Sequence, residues 1–376
     1  MPECDNPLWP CAMTGAAAGL AGCRGVSVVI HGSSGCYYYP STLLHAPIHG
    51  TFIQESEVIF GSEDRLHEVI ESIAGTGERI AVITTCVPAI LGEDVKAMLS
   101  RYDVLLVDSP GFAGDMEAGY ARALSVLAPD PDPEDTGVNI DGACLLDPRS
   151  CGNVQEVQRL LHRCGVPVRA VLCDDSLERI LHPAPFTLGT NTDVSSGVGE
   201  FLGGTLGFDT VQKTFGRVAD RFSDADPDPV FAEIGQQEER LIRTCDKYLR
   251  RFDPPSVAIF AGAAYAQFAA DTLERYLDAD ICCIGLRTPG TIPRTADYAG
   301  SLGTVKSMIA AADPDLVIGS SFERSVCQTC AFAGIIPPLR GEVRLAPRPL
   351  AGISGSLSFM EDVLNACMDQ KNRLRR

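Results

Sequence analysis

Short β-branched runs punctuate this chain and read as strands: residues 26–30, 80–84, 104–107, 138–140, 168–172, 256–261, 281–284 and 316–318. Between them the apolar positions take a helical period. Leu66, Val69, Ile70 and Ile73 share one face of a helix that Ser62 would cap and Gly75 to Gly77 would end. Further helices are predicted over 93–100, 153–164 (closed by Gly165), 230–252, from about 262 through Leu277, over 302–312, from Ser320 or Ser321 onward, and over 359–368. Helix after strand, repeated, means a parallel sheet, so the expected class is α/β.

The stretch from Ala128 to Thr136 is acidic and carries three prolines, so it can be neither helix nor central strand and marks a first boundary. A turn at 224–229 precedes the 230–252 segment, which reads as a long bridging helix with Ile234, Leu241, Ile242, Cys245, Tyr248 and Leu249 at helical spacing. The expected domains are therefore 1–128, 129–252 and 253–376. A length of 376 residues suits two or three domains at roughly 100–200 residues each.

Composition narrows the function. A net charge of −18 disfavours nucleic acid, whose phosphates would be repelled. Glu3 and Asp5 stand where a secretory leader would be basic, and no apolar run reaches the roughly 20 residues of a membrane span, so no membrane partner is expected. Fifteen cysteines in such a chain point to a cytoplasmic protein with reduced thiols, some of them ligands.

Three of those thiols stand apart from the rest. Cys11 follows a proline. Cys36 ends the loop His31-Gly-Ser-Ser-Gly-Cys36, after one predicted strand. Cys86 follows another in Thr85-Cys86-Val-Pro88. In an open α/β sheet, the crevice beyond the carboxyl ends of the strands is where ligands bind. Soft thiolates converging there from separate loops suit an iron–sulfur cluster. A free cysteine is otherwise a small buried hydrophobe, and that is the reading preferred for Cys23. Cys327-Gln-Thr-Cys330 has no second CxxC or HxxxH to complete a zinc site, and it is expected in mid-helix, where a redox pair does not sit. No G-x-x-x-x-G-K-[ST] loop is present.

Cys11, 24 residues, Cys36, 49 residues, Cys86, with His31-Gly32 and Gly35 before the second thiol, resembles the nitrogenase component 1 family in the order and spacing of its cluster cysteines. Cys86-Val-Pro-Ala-Ile-Leu-Gly-Glu-Asp-Val95, Ser109-Pro-Gly-Phe-Ala-Gly114 and Pro314-Asp-Leu-Val-Ile-Gly319 resemble further family segments. The resemblance implies three Rossmann-like domains with parallel sheets. It implies a 4Fe–4S cluster on Cys11, Cys36 and Cys86, with the fourth ligand open between Cys23, an aspartate and a residue across a dimer. The family's second metallocofactor takes a cysteine in the second domain and a histidine in the third. The matching stretches here are Phe186-Thr-Leu-Gly-Thr-Asn-Thr-Asp193, without cysteine, and Pro349-Leu-Ala-Gly352, with Ala351 in the histidine's place.

Members with the proximal cluster alone reduce tetrapyrroles. The compact length is most similar to the catalytic component of the nickel sirohydrochlorin a,c-diamide reductive cyclase, which serves coenzyme F-430 biosynthesis in methanogens. The resemblance then implies an anaerobic, cytoplasmic homodimer. Its electrons would come from a separate ATP-hydrolysing iron protein, itself a homodimer like nitrogenase reductase. The alternatives are a metallocofactor scaffold without turnover and a reductase of another small substrate. His31, His45 and His49 are the candidate proton donors, and Arg287, Arg294 and Arg344 the candidate forks for tetrapyrrole carboxylates. Asp174 and Asp175 are expected to cap a helix rather than act as acids.

Overall fold

The computed structural model describes residues 7–44 and 46–374; His45, Glu3 and Asp5 lie outside the described residues. The first part of the chain runs α1 (Ala12–Ala21), β1 (Val26–His31), α2 (Ser34–Leu44), β2 (Ile48–Gly50), α3 (Glu55–Phe60), α4 (Glu63–Ile73), β3 (Arg79–Thr84), α5 (Cys86–Leu91), α6 (Val95–Met98), β4 (Leu105–Asp108) and α7 (Met116–Leu127). Next come β5 (Val138–Asp141), α8 (Ser150–Arg163), β6 (Val168–Val171), α9 (Leu177–Leu181), β7 (Phe186–Gly189), β8 (Glu200–Gly204), α10 (Phe208–Arg221) and α11 (Asp228–Leu249). The last part holds β9 (Ser256–Ala261), α12 (Ala263–Leu277), β10 (Asp280–Leu286), β11 (Asp297–Tyr298), α13 (Leu302–Ala312), β12 (Leu316–Gly319), α14 (Ser321–Val326), β13 (Ala331–Gly334) and α15 (Gly352–Leu374).

These strands make three sheets, ordered β2-β1-β3-β4, β6-β5-β7-β8 and β11-β10-β9-β12-β13, and every pairing within them is parallel. Helices cover the sheets, so the class is α/β. β1 is buried along its whole length, as a parallel strand covered on both faces must be. Register sets the next level of structure. His31 stands beside Thr84, and Thr84 beside Asp108, so the loops leaving β1, β3 and β4 start level with one another.

Helix α1 explains how the N-terminal segment reaches those loops. Its sequence, AMTGAAAGLA, is almost all small, and nine of its ten residues are buried. Small residues let it cross α7 backbone to backbone. A Cβ on Gly15 would lie 1.9 Å from the Met116 carbonyl oxygen, and one on Gly119 would lie 1.8 Å from that of Ala12. No apolar–polar rhythm marks such a helix, and the sequence did not reveal it.

Three predicted features change. Ser62 precedes α4 but makes no side-chain cap; its hydroxyl is taken by His31 and Glu93. The predicted 93–100 helix shrinks to α6, capped by the Asp94 carboxylate on the Ala97 amide (3.0 Å). Cys327 and Cys330 are not in mid-helix. α14 stops at Val326, Cys327 is extended, and the two cysteines are joined as a disulfide. α14 itself carries the expected cap, with Ser320 and Glu323 in a reciprocal box.

The α1–α7 crossing yields a direct expectation. Gly15→Ala should destabilise the protein by about 3 kcal/mol or more, because a methyl cannot fit against a backbone oxygen. Gly75→Ala, where an added Cβ meets nothing within 4 Å, should leave the melting temperature nearly unchanged. Thermal melts of the two variants check the contrast.

Candidate metal centre

Each of the three thiols stands at a helix start. Cys11 is the extended residue capping α1 and bridges Asp115. Cys36 lies in the first turn of α2, after β1. Cys86 opens α5, after β3. All three side chains are half-buried.

Gly111, in the turn after β4, makes the space between two of them. A Cβ on Gly111 would sit 3.1 Å from Cys86 Sγ and 3.2 Å from Cys11 Sγ, so those sulfurs lie within the sum of those distances of each other. The Gly111 amide donates to Cys86 Sγ (3.1 Å), the contact a thiolate wants. Cys36 enters from α2, which packs on α1. Ser33 Oγ donates toward Cys36 Sγ at 3.8 Å. Tyr39, three residues further along α2, lies near enough to Cys11 that burial first, and then the thiolate charge, raise its phenol pKa. Among the described residues, no three His, Cys, Asp or Glu side chains converge on a single ion. Two thiols from separate segments that meet at one glycine, with a third on the adjoining helix, suit a multi-iron cluster, whose ligands bind different atoms of the centre.

The loops are fixed from behind by His31. It is fully buried; its Nδ1 meets Thr51 Oγ1 and its Nε2 meets Ser62 Oγ, both at 3.2 Å. Ser62 Oγ donates to Glu93 (2.6 Å), and Thr51 Oγ1 accepts from the Gly32 amide (3.0 Å). Burial lowers the His31 pKa to about 4 against the opposing pull of Glu93. Hydrogen-bonded through both nitrogens and fully buried, His31 braces the Cys36 loop from behind. His49 is half-buried on β2, beside Val29 of β1. Gly32 is pressed against Thr85: a Cβ there would lie 1.9 Å from Thr85 Oγ1, so the loops carrying Cys36 and Cys86 touch.

Other candidates resolve into structure. Cys23 is buried, its thiol donates to the Gly19 carbonyl, and burial raises it to about 12. Arg287 is buried on Glu323 and donates to the Ala299 carbonyl (3.0 Å), while Arg294 pairs with Asp271 and Glu274. Arg344 pairs with Glu342 (2.6 Å) and faces a cavity in the third domain. Asp174 and Asp175 do not cap the next helix: the N-cap of α9 is Ser176, without a side-chain cap. Asp175 instead accepts from the Val171 and Ser176 amides and pairs with Arg24 (3.0 Å), tying the turn before β1 to the end of β6.

Sequence reasoning missed a group of acids where the three domains meet. Glu117 of the first, Asp147 and Asp193 of the second, and Gly262, Tyr265 and Pro337 of the third line one small cleft, with Trp9. The Trp9 indole N–H donates to both Glu117 oxygens (3.0 and 3.1 Å), and the Tyr265 hydroxyl donates to Asp147 (2.6 Å). Burial raises Glu117 to about 7 and Asp193 to about 6, and raises Asp147 as well. No spacing along one chain could assemble acids from separate domains. A raised carboxyl pKa means the folded state binds the proton more tightly than the unfolded state does. The stabilisation is full below about pH 4 and is lost as pH rises through about 6 to 7. Glu117→Gln should therefore flatten the fall in melting temperature between about pH 4.5 and 7, at about 1.4 kcal/mol per pKa unit retained, as pH-dependent melts will show.

The whole arrangement has known counterparts. The family model of the nitrogenase component 1 type oxidoreductases matches residues 11–368. The nitrogenase iron-molybdenum cofactor biosynthesis protein NifE of Clostridium pasteurianum is 25% identical over 292 residues, 69% of this chain and 64% of that protein. The nitrogenase molybdenum-iron protein alpha chain of Methanothermobacter marburgensis is 26% identical over 220 residues, 46% of each chain. This chain thus spans less than two thirds of these relatives' length. In fold, the solved structure described as nitrogenase Cp1 at pH 6.5 superposes with a TM-score of 0.84 at 18% identity, covering 98% of this chain and 94% of the other. The chain belongs to the nitrogenase component 1 type oxidoreductase family.

Proposed function

We propose that the chain is the iron–sulfur catalytic component of a nitrogenase-like, ATP-dependent tetrapyrrole reductase, acting in the reductive cyclisation of nickel sirohydrochlorin a,c-diamide. The observation that carries this reading is the gap at Gly111 between Cys11 and Cys86, with Cys36 entering from the adjoining helix. Cys11, Cys36 and Cys86 would hold the cluster. A bound 4Fe–4S cluster supplies one-electron transfer at low potential. The family's usual ligands of a second metallocofactor are missing from the two matching stretches. Ala351 is buried, its amide donating to Asn153 Oδ1 (2.9 Å), and the 186–193 segment offers Asp193 but no thiol.

The surroundings support partners on this face. Tyr38, Tyr39, Leu43, Phe52, Val58, Ile59, Phe60, Ile90, Leu91 and Phe112 are exposed and belong to the segments around the three thiols. Apolar side chains gathered in that way mark a protein contact. A second protomer and the electron-donating iron protein are the partners the reading requires. Glu117 and Asp193 have the protonation needed to deliver protons near neutral pH, and Trp9 orients Glu117. His31 holds the Cys36 loop.

The similarity to a cofactor biosynthesis protein favours a second reading, a scaffold that carries a larger metallocofactor. Iron analysis of anaerobically purified protein separates the two. About four irons per chain or per dimer, with no molybdenum, supports the reductase, whereas about eight or more supports the scaffold. Cys11→Ser, Cys36→Ser and Cys86→Ser should each abolish the brown absorption, and Cys327→Ser with Cys330→Ser should preserve it. The opposite pattern would place the metal elsewhere.

A further inference from the structure

A wide cavity in the last part of the chain is far from the thiols in sequence. About 990 Å³ in volume, it lies in the third domain beside the edge strand β13. The segment 341–348, the Cys327–Cys330 turn and α15 from Asp362 to Gln370 complete its walls. That volume is at the upper end of small-molecule sites.

Its chemistry comes from arginines. Arg344 and Arg348 stand on the 341–348 segment, and Arg324 stands over the Phe332 ring at 5.6 Å. Arg149 reaches the same place from the second domain, entirely buried, donating to the Gly334 carbonyl and to that of Arg348 (3.4 Å). The wall also holds three carboxylates. Glu342 is engaged by Arg344 (2.6 Å). Asp362 is engaged by Arg348 (2.7 Å) and Arg149 (3.6 Å). Asp369 faces the cavity without an ion pair among the described residues.

These pairings leave guanidinium groups short of acceptors. Arg344 Nη1, Arg348 Nε and Arg149 Nε are buried and bonded to nothing. Burial, and then the charge of Arg344, pull Arg149 down to about 10, against the opposing charges of Asp362 and Asp147. Buried donors without acceptors are costly, and an oxyanion entering the cavity would supply acceptors to those that a side-chain rotation turns toward it. On the mouth of the cavity, Val343 is 88% and Leu345 98% exposed, aliphatic side chains with nothing over them.

We propose that this cavity binds a small organic polyanion, two or more of whose oxyanion groups are taken by Arg344 and Arg348, with Arg149 behind them. Arg fits carboxylate and phosphate oxygens with paired N–H donors, and the rotation that turns Arg344 Nη1 or Arg348 Nε toward the cavity is a side-chain movement. The aliphatic pair Val343 and Leu345 covers the non-ionic part of the ligand. The site is separate from the acid-lined cleft of Glu117, Asp147 and Asp193, with which it shares no lining residue.

Calorimetric titration of the full chain with citrate and with pyrophosphate, at about 0.15 M salt to suppress surface binding, tests this. Saturable binding at one site is expected for at least one probe. Preference for citrate identifies a carboxylate ligand, and preference for pyrophosphate a phosphate ligand. Arg344→Gln combined with Arg348→Gln should weaken binding at least about tenfold. Val343→Asp, at an exposed position that folding does not depend on, should weaken it too and decides the matter if the double variant fails to fold. Arg221→Gln, on α10, should change nothing. No saturable binding of either probe, or binding that survives both sets of cavity substitutions, overturns the proposal.

Discussion

Two glycines pressed against carbonyl oxygens decide what this molecule can be. Gly15 and Gly119 let α1 and α7 meet backbone to backbone, and α1 carries Cys11 on its leading end. Without that closeness Cys11 could not lie beside Gly111, next to Cys86. The remaining geometry follows from parallel register: β1, β3 and β4 end level, so the segments that lead to Cys36, Cys86 and Gly111 start level with one another. A long-range contact between helices and a local pairing of strands thus bring Cys11 and Cys86 to the same glycine.

Polar groups behind the thiols are spent on holding loops. His31, Thr51, Ser62 and Glu93 form one buried network that links β1, the segment after β2, the start of α4 and the segment before α6. Buried networks of this kind rigidify when every member is satisfied. The acids at the three-domain junction differ from it. Burial raises the carboxyls of Glu117 and Asp193 above the usual carboxylate range, so their protonation changes between weakly acid and neutral pH.

Much of this was legible in the sequence, for reasons that can be named. Buried strands such as β1, β3, β9 and β12 announce themselves as β-branched runs. The periodic helices α4, α8 and α11 do so by their apolar faces. α1 escaped because alanine and glycine carry no face to read. Ser62 looked like a cap because serine before two acids usually is one, but its hydroxyl had nearer partners in His31 and Glu93. The helix expected through Cys330 ended early because the chain turns extended at Cys327. The cleft with Glu117 and Asp193 could not be foreseen, since tertiary packing alone brings its walls together.

The central claim is that Cys11, Cys36 and Cys86 bind one inorganic centre. The most direct measurement is anomalous diffraction at the iron edge from crystals grown without oxygen. The account predicts a single strong iron peak per site, bounded by those three sulfurs and next to Gly111. A peak at other cysteines, or none in protein that is brown in solution, would contradict it.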